Sequence, residues 1–327
     1  MQMFVQILFF LTMSVVALIG PFVAFALCFL GRRGIIFAGT NKHRIKDRPS
    51  FTAELAMACR AMGTKLRLCN DPVAYEMCEW DTRIIVQAFV FLRSIFGKRI
   101  PLGMTGMIVV RTVELDAFIQ QAGAAQVVLL GAGMDARAYR LSTGTARYFE
   151  VDVPSTQTLK KETILQLFKA NPKVFPNRNY EEGRVTFVAC DFSANESFMS
   201  KLLAQGFDNH AKSIVVLEGV VSYLTWEEIQ DTLRKVTDMG PGTLVAMNAV
   251  QGEEVLKTKQ AGVMKKYIRE QPKFVMKSTD TAVSLFEPLG FTVLRDISFI
   301  DAAIQYEGLL GEKLRKFYGR LIFMEVK

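Results

Sequence analysis

Four short strings in the middle of the chain combine side chains that could bind a nucleotide-like molecule, and each follows an apolar run. The first is Leu130-Gly131-Ala132-Gly133-Met134-Asp135-Ala136-Arg137, behind the β-branched run 126–130. Glycines at Gly131 and Gly133 let the backbone turn sharply and approach a ligand without a Cβ clash. A helix starting after them offers free N–H groups and a positive dipole end. The spacing matches the G-x-G-x-x-A form of a dinucleotide fingerprint, and equally a tight strand–helix turn with no ligand. The second is Phe149-Glu150-Val151-Asp152, in which Asp152 lies 21 residues after Gly131. An acid at that distance can accept from ribose hydroxyls, and the alternative is a helix cap before Pro154. Glu150 and Asp152 should share one strand face, because strand side chains alternate with a period of two. The third is Asp191-Phe192, closing the run 185–190. A carboxylate there can accept from an adenine amino group while the next backbone N–H meets a ring nitrogen. It can equally cap the following turn. The fourth is Leu217-Glu218-Gly219. Glu218 ends a run too apolar to welcome a lone charge, so a cation should face it, either on a ligand or on an arginine of the body.

These strings need a frame that brings their ends together. Candidate strands are 126–130, 147–151, 184–190, 213–217, 243–249, 291–299 and 320–326, with helices expected near 135–141, 154–169, 195–205, 226–239, 253–270 and 279–288. Strands alternating with helices imply a mostly parallel sheet covered on both faces, and ligands of such sheets bind at the carboxyl edge. Thr225 and Glu228 have the spacing of a capping box. Upstream, 51–69 and 80–96 read as helices separated by Asn70-Asp71-Pro72, and 107–122 as a third. The segment 51–124 is thus a helical elaboration on an α/β core at 125–327.

The N-terminus has another character. Residues 1–30 carry no charge, and from Ile7 to Leu30 only Thr12 and Ser14 are notably polar. Helical residues at ~1.5 Å each make that stretch about 36 Å long, enough to cross a ~30 Å hydrocarbon core. The basic n-region of a cleaved signal is absent. Residues 32–48 follow with Arg32, Arg33, Lys42, Arg44, Lys46 and Arg48 against Asp47, a net +5 of the chain's +8. This predicts a single-pass anchor, a basic linker at 31–50 and a body facing the cytoplasm, although an interfacial hairpin broken at Gly20-Pro21 also fits. Charge concentrated beside the membrane argues against a nucleic-acid partner. With 50% hydrophobic and 22% charged residues, the chain has enough apolar surface to offset its ordering entropy and is not disordered. Five cysteines without a repeated spacing exclude a disulfide scaffold, and no metal-ligand spacing is present. His43 and His210 are the two histidines, and neither is placed for a catalytic relay.

The strings LLGAGMDARAYRL, YFEVDVPSTQTLK, VACDF and LEGVVSYLT, in this order, resemble the leucine carboxyl methyltransferase family and related S-adenosylmethionine-dependent O-methyltransferases; SFTAELAMACRA, NDPVAYE and Arg111-Thr112 add to the likeness. The resemblance spans roughly residues 50–250. It implies a class I methyltransferase (Rossmann-like) α/β fold, with a mostly parallel seven-stranded sheet over 51–327 and S-adenosyl-L-methionine as cofactor. By this resemblance Arg111 holds the methionine carboxylate, Gly131 and Gly133 pass under the methionine moiety, and Asp152 takes the ribose. Asp191 and the Phe192 backbone read adenine, Glu218 faces the amino group or sulfonium, Arg60 approaches the cofactor, and Lys160 matches a family lysine. Ala136 stands where the family has threonine and Phe192 where it has leucine. The expected activity is methylation of a carboxylate or hydroxyl on a small or membrane-proximal protein acceptor. Tyr223 is the candidate substrate-side group, with core packing as its alternative. An NAD(P)-dependent oxidoreductase would share the first two strings but has no need of Asp191 and Glu218; a membrane-tethered adaptor that keeps the fold is the non-enzymatic reading.

Overall fold

The computed structural model describes residues 51–191, 196–257, 272–314 and 318–327. The expected anchor and linker, and Phe192, lie outside the described residues. Among the described residues no helix is long and apolar enough to cross a membrane.

Seven strands form one sheet: β1 (Gln126–Leu130), β2 (Arg147–Asp152), β3 (Val185–Ala189), β4 (Ser213–Leu217), β5 (Leu244–Ala249), β6 (Phe291–Ser298) and β7 (Arg320–Val326). Their order is β3-β2-β1-β4-β5-β7-β6. The first five are parallel, and β7 inserts antiparallel between β5 and β6. Every residue of β1 and β4 is buried, as a strand covered on both faces requires. Within β1, Val128 and Leu130 enter one apolar core while Val127 and Leu129 enter another on the opposite face.

The first core is closed by α7 (Phe198–Ala204), α8 (Trp226–Thr237) and α9 (Ala282–Phe286). The second is closed by α1 (Phe51–Lys65), α2 (Pro72–Met77), α5 (Arg137–Arg140) and α6 (Pro154–Ala170). A third cluster joins α4 (Met104–Ala122) and α10 (Phe299–Gln305) to β5 and β7. The remaining helices are α3 (Trp80–Phe96) and α11 (Glu307–Leu310). The expected capping box opens α8. The Glu228 N–H donates to Thr225 Oγ1 at 3.3 Å, and the Thr225 N–H to Glu228 Oε2 at 2.7 Å.

Three features depart from the sequence reading. Asn70-Asp71-Pro72 starts a helix as well as ending one: Asp71 Oδ1 accepts from the Ala74 N–H at 2.9 Å and Pro72 opens α2, a position that suits proline. The helix expected over 253–270 is only a short turn at Glu253–Lys257 among the described residues, and 258–271 lie outside them. Helices α10 and α11, after β6, add to the elements read from sequence.

Candidate active site

Strands β3, β2, β1 and β4 lie side by side, so their carboxyl ends set the four strings along one edge. Chain order reverses between β1 and β4, the position at which open α/β sheets bind ligands. The Gly131 and Ala132 N–H groups donate to Val151 O at 2.8 and 3.0 Å, pinning the glycine turn to β2. The Gly133 N–H donates to Asp152 Oδ2 at 2.6 Å and the Val153 N–H to Asp152 Oδ1 at 2.7 Å. A carboxylate has roughly four acceptor directions, so Asp152 retains capacity beyond these two donors. Burial raises the Asp152 carboxyl above its ordinary value, with the two backbone donors opposing. Gly131 has φ +69°, and a Cβ there would overlap Val220 Cγ2. On β3, the Cys190 N–H donates to Asp152 O at 2.8 Å, which brings Asp191 beside Asp152. The Asp191 N–H donates to Glu196 Oε2 at 3.1 Å.

Glu218 continues this edge, with its side chain 6% exposed. It meets three guanidinium groups: Arg111 Nε at 2.7 Å, Arg60 Nη1 at 3.3 Å and Arg137 Nη1. The arginine ion pair weighed from sequence is thus present three times over. Burial works against the charge on Glu218, but Arg137, Arg111 and Arg60 outweigh it and hold the carboxyl well below its usual range. Behind this group the network continues. Arg137 pairs with Asp135 at 2.5 Å and Asp116 at 2.7 Å, and Arg140 with Asp116 at 2.6 Å and Asp71 at 3.2 Å. Arg60 closes the ring on Asp71 at 3.3 Å. In this network Arg60, Arg111, Arg137 and Arg140 face Asp71, Asp116, Asp135 and Glu218. Arg60 Nε and Arg140 Nε meet Asp71 at ion-pair distance without a hydrogen bond. Arg137 Nη2 is buried with no hydrogen-bond partner. Among the described residues Arg111 engages through Nε alone, leaving its two terminal nitrogens as a fork.

The edge therefore gathers Arg60, Arg111, Gly131, Gly133, Asp152, Asp191 and Glu218. Tyr223, half-buried, ends the short turn Val221–Tyr223 just beyond β4. Lys160 does not reach the edge as a free cation; it is buried and pairs with Glu150 at 2.9 Å. Burial pushes the Glu150 carboxyl up to about 7 despite Lys160. Sequence reasoning misses Asp71, Asp116, Asp135, Arg137 and Arg140 as members of the charged network. The available signal is charge inside apolar helical runs: Asp116 stands in the same α4 pattern as Arg111, and Arg137 and Arg140 follow the glycine turn directly.

A family model described as leucine carboxyl methyltransferase matches residues 51–237. A candidate S-adenosyl-L-methionine-dependent methyltransferase of Mycobacterium ulcerans is 31% identical over 225 residues, covering 64% of this chain and 66% of that protein. One from Mycobacterium avium is 39% identical over 197 residues, covering 56% of this chain and 59% of the relative. The chain thus spans somewhat less than two thirds of the length of these curated relatives. Among solved structures, a DUF574 family protein from Streptomyces avermitilis superposes with a TM-score of 0.53 at 15% identity, covering 87% of this chain and all of that one. At that identity the likeness concerns the fold.

Proposed function

The chain belongs to the leucine carboxyl methyltransferase family, and from that membership we propose that it is an S-adenosylmethionine-dependent methyltransferase that methylates oxygen. The observation that carries the reading is the open Arg111 fork beside Glu218, on the same edge as Asp152 and Asp191. The residues present fit the cofactor. A guanidinium with two free N–H vectors suits a carboxylate. Asp152 retains acceptor capacity for ribose hydroxyls, Asp191 serves the adenine amino group, and the half-buried glycine turn presents backbone without a Cβ at Gly131 and Gly133. Glu218 has two oxygens and roughly four acceptor directions. Three of them meet arginines, so one remains for an ammonium group.

Bound S-adenosylmethionine supplies an electrophilic methyl group on a sulfonium. The protein's own task is then alignment and exclusion of water, which can account for much of the acceleration. The arginine–carboxylate network fixes Arg111 and Glu218 rigidly for that task. A carboxylate acceptor needs positioning and no base; a hydroxyl acceptor needs a base, for which Tyr223, in the turn after β4, is the candidate. Residues 1–30 and the basic linker support a single-pass anchor with the body at the cytoplasmic face, and hence a lipophilic or membrane-proximal acceptor. An oxidoreductase using NAD(P) is the competing enzyme class, and it leaves the Arg111 fork and Asp191 without a task.

Two measurements test the reading. Titration of the full chain with S-adenosylhomocysteine should give saturable binding where NADPH gives none; the reverse result overturns it. Methyl labelling of a membrane extract should then give product whose label is released by mild base if the acceptor is a carboxylate. Base-stable label would direct the assignment to a hydroxyl or away from oxygen.

A further inference from the structure

Helix α3 carries an apolar line on its outer side. Ile84, Phe91 and Ile95 are 40%, 55% and 57% exposed, and Trp80 at the head of the helix is 59% exposed. Spacings of four, seven and four residues hold these side chains to one face. From Ile84 to Ile95 the line is about 17 Å long at ~1.5 Å per residue. Phe96 and Met104, after it in the chain, are also exposed, as is Leu309 of α11, whose neighbours Leu310 and Glu312 accept from Arg93 of α3. Soluble surfaces seldom expose large apolar groups in such a row. Residues 84–99 contain no acid, and exposed Lys98 and Arg99 sit at the end of the line.

The place where the chain enters the body indicates what covers this face. Residue 51 begins α1, which packs on α3. Ala53 Cβ lies 3.3 Å from the position a Cβ on Gly133 would take, so the uncharged segment and basic linker join the body beside the glycine turn. We propose that the α3 face is a second membrane contact, lying in the interfacial region of an anionic bilayer with its apolar line among the acyl chains and Lys98 and Arg99 at the headgroups. An apolar helix face flanked by cations binds such an interface through buried area and headgroup attraction together. A second point of attachment fixes the orientation of the body, with the site edge near the lipid surface, where a lipophilic acceptor is concentrated. The inference complements the anchored reading, and the two can fail separately.

The test uses the full chain reconstituted in vesicles of phosphatidylcholine and phosphatidylserine, with and without dibrominated acyl chains. The chain has two tryptophans, Trp80 and Trp226. Trp226 is half-buried, stacked on Phe274 against the first core with ring centroids 5.3 Å apart. In the double variant Trp80→Phe/Phe91→Trp, bromolipid should quench the introduced emission by more than half. In Trp80→Phe alone it should change by less than a tenth. Equal, small quenching in both variants overturns the proposal. So does blue-shifted, unquenched emission from the introduced tryptophan, which would mean cover by protein, either the chain's own N-terminal segment or a second copy. An alkaline wash separates the readings. Protein that stays on the vesicles without quenching retains the anchor and loses the α3 contact; protein that is quenched before the wash and removed by it retains the contact and loses the anchor.

Discussion

Asp152 and Asp191 are the residues whose removal should speak most directly about the site. Each is an acceptor at the end of one of two adjacent parallel strands. A hydrogen bond to a charged group contributes roughly 1.5–3 kcal/mol, so Asp152→Ala and Asp191→Ala should each weaken S-adenosylhomocysteine binding about 10- to 100-fold by calorimetry. Asp152→Ala should also lower stability by about 1–3 kcal/mol, because the Gly133 N–H loses its acceptor. Unchanged affinity in both variants would remove the site assignment. Arg137 behaves differently. It is fully buried among Asp135, Asp116 and Glu218, whose charges outweigh the cost of burial and hold the guanidinium firmly protonated. Arg137→Met takes the ion-pair partner from Asp135 and one of several from Asp116 and Glu218, and breaking a buried pair from one side costs about 3–5 kcal/mol. Denaturant unfolding should register that loss before any activity assay does. The contrast also marks what sequence can reveal. Asp152, Asp191 and Glu218 are legible because each is an acid at the end of an apolar run. Arg137, Asp116 and Asp71 are not, because their partners come from distant parts of the chain. Arg137 and Glu218 are 81 residues apart, Arg60 and Glu218 are 158 apart, and spacing carries no sign of either contact.

The elements most legible in sequence are those with one unambiguous period. All seven strands can be read to within a residue or two, because runs such as Val127–Leu130 and Ile214–Leu217 are apolar at every position. Helix α2 hides behind Asp-Pro, which reads as a terminator although the same dipeptide is a good cap and first residue. Helices α10 and α11 escape because Phe299–Gln305 and Glu307–Leu310 are too short to establish a helical repeat. The glycine turn shows how an element positions chemistry. Gly131 takes a left-handed φ, and the space a Cβ would fill is held by Val220 from the segment after β4. Gly131→Ala therefore meets both backbone strain and a side-chain clash. The strain of a non-glycine residue there is about 1–2 kcal/mol. The turn must shift to relieve the contact, carrying the Gly133 N–H away from Asp152. Cofactor affinity should fall more than tenfold, and the double variant Gly131→Ala/Val220→Ala should recover part of it. Recovery to the wild-type value would mean that the clash alone matters and the φ does not.

At the scale of the whole molecule, the chain buries ionisable groups on both sides of one sheet edge, and this ties stability to pH. In the arginine network Glu218 is held well below its ordinary range, so it contributes no slope near neutrality. Glu150 is the opposite case. It is buried on β2 against Lys160, and burial pushes its carboxyl from an ordinary 4.5 up to about 7. Between those values the folded protein keeps a proton that the unfolded chain has released. The native state then binds more protons than the unfolded state, and unfolding free energy must fall as pH rises through this window. Below about 4.5 the contribution is complete and above about 7 it is gone. The total is at most roughly 3 kcal/mol, at ~1.4 kcal/mol per pH unit. Urea unfolding at a series of pH values from 4.5 to 8 reads the slope. Glu150→Gln cannot titrate and mimics the protonated carboxyl, so its stability should be close to wild type near pH 4.5 and flatter across the window, exceeding wild type at pH 8 by about that amount. Parallel curves for the two proteins would mean that Glu150 is ionised throughout beside Lys160. In that case the pair is a permanent salt bridge beneath Asp152, and binding at the edge would be insensitive to pH through Glu150 over the same range.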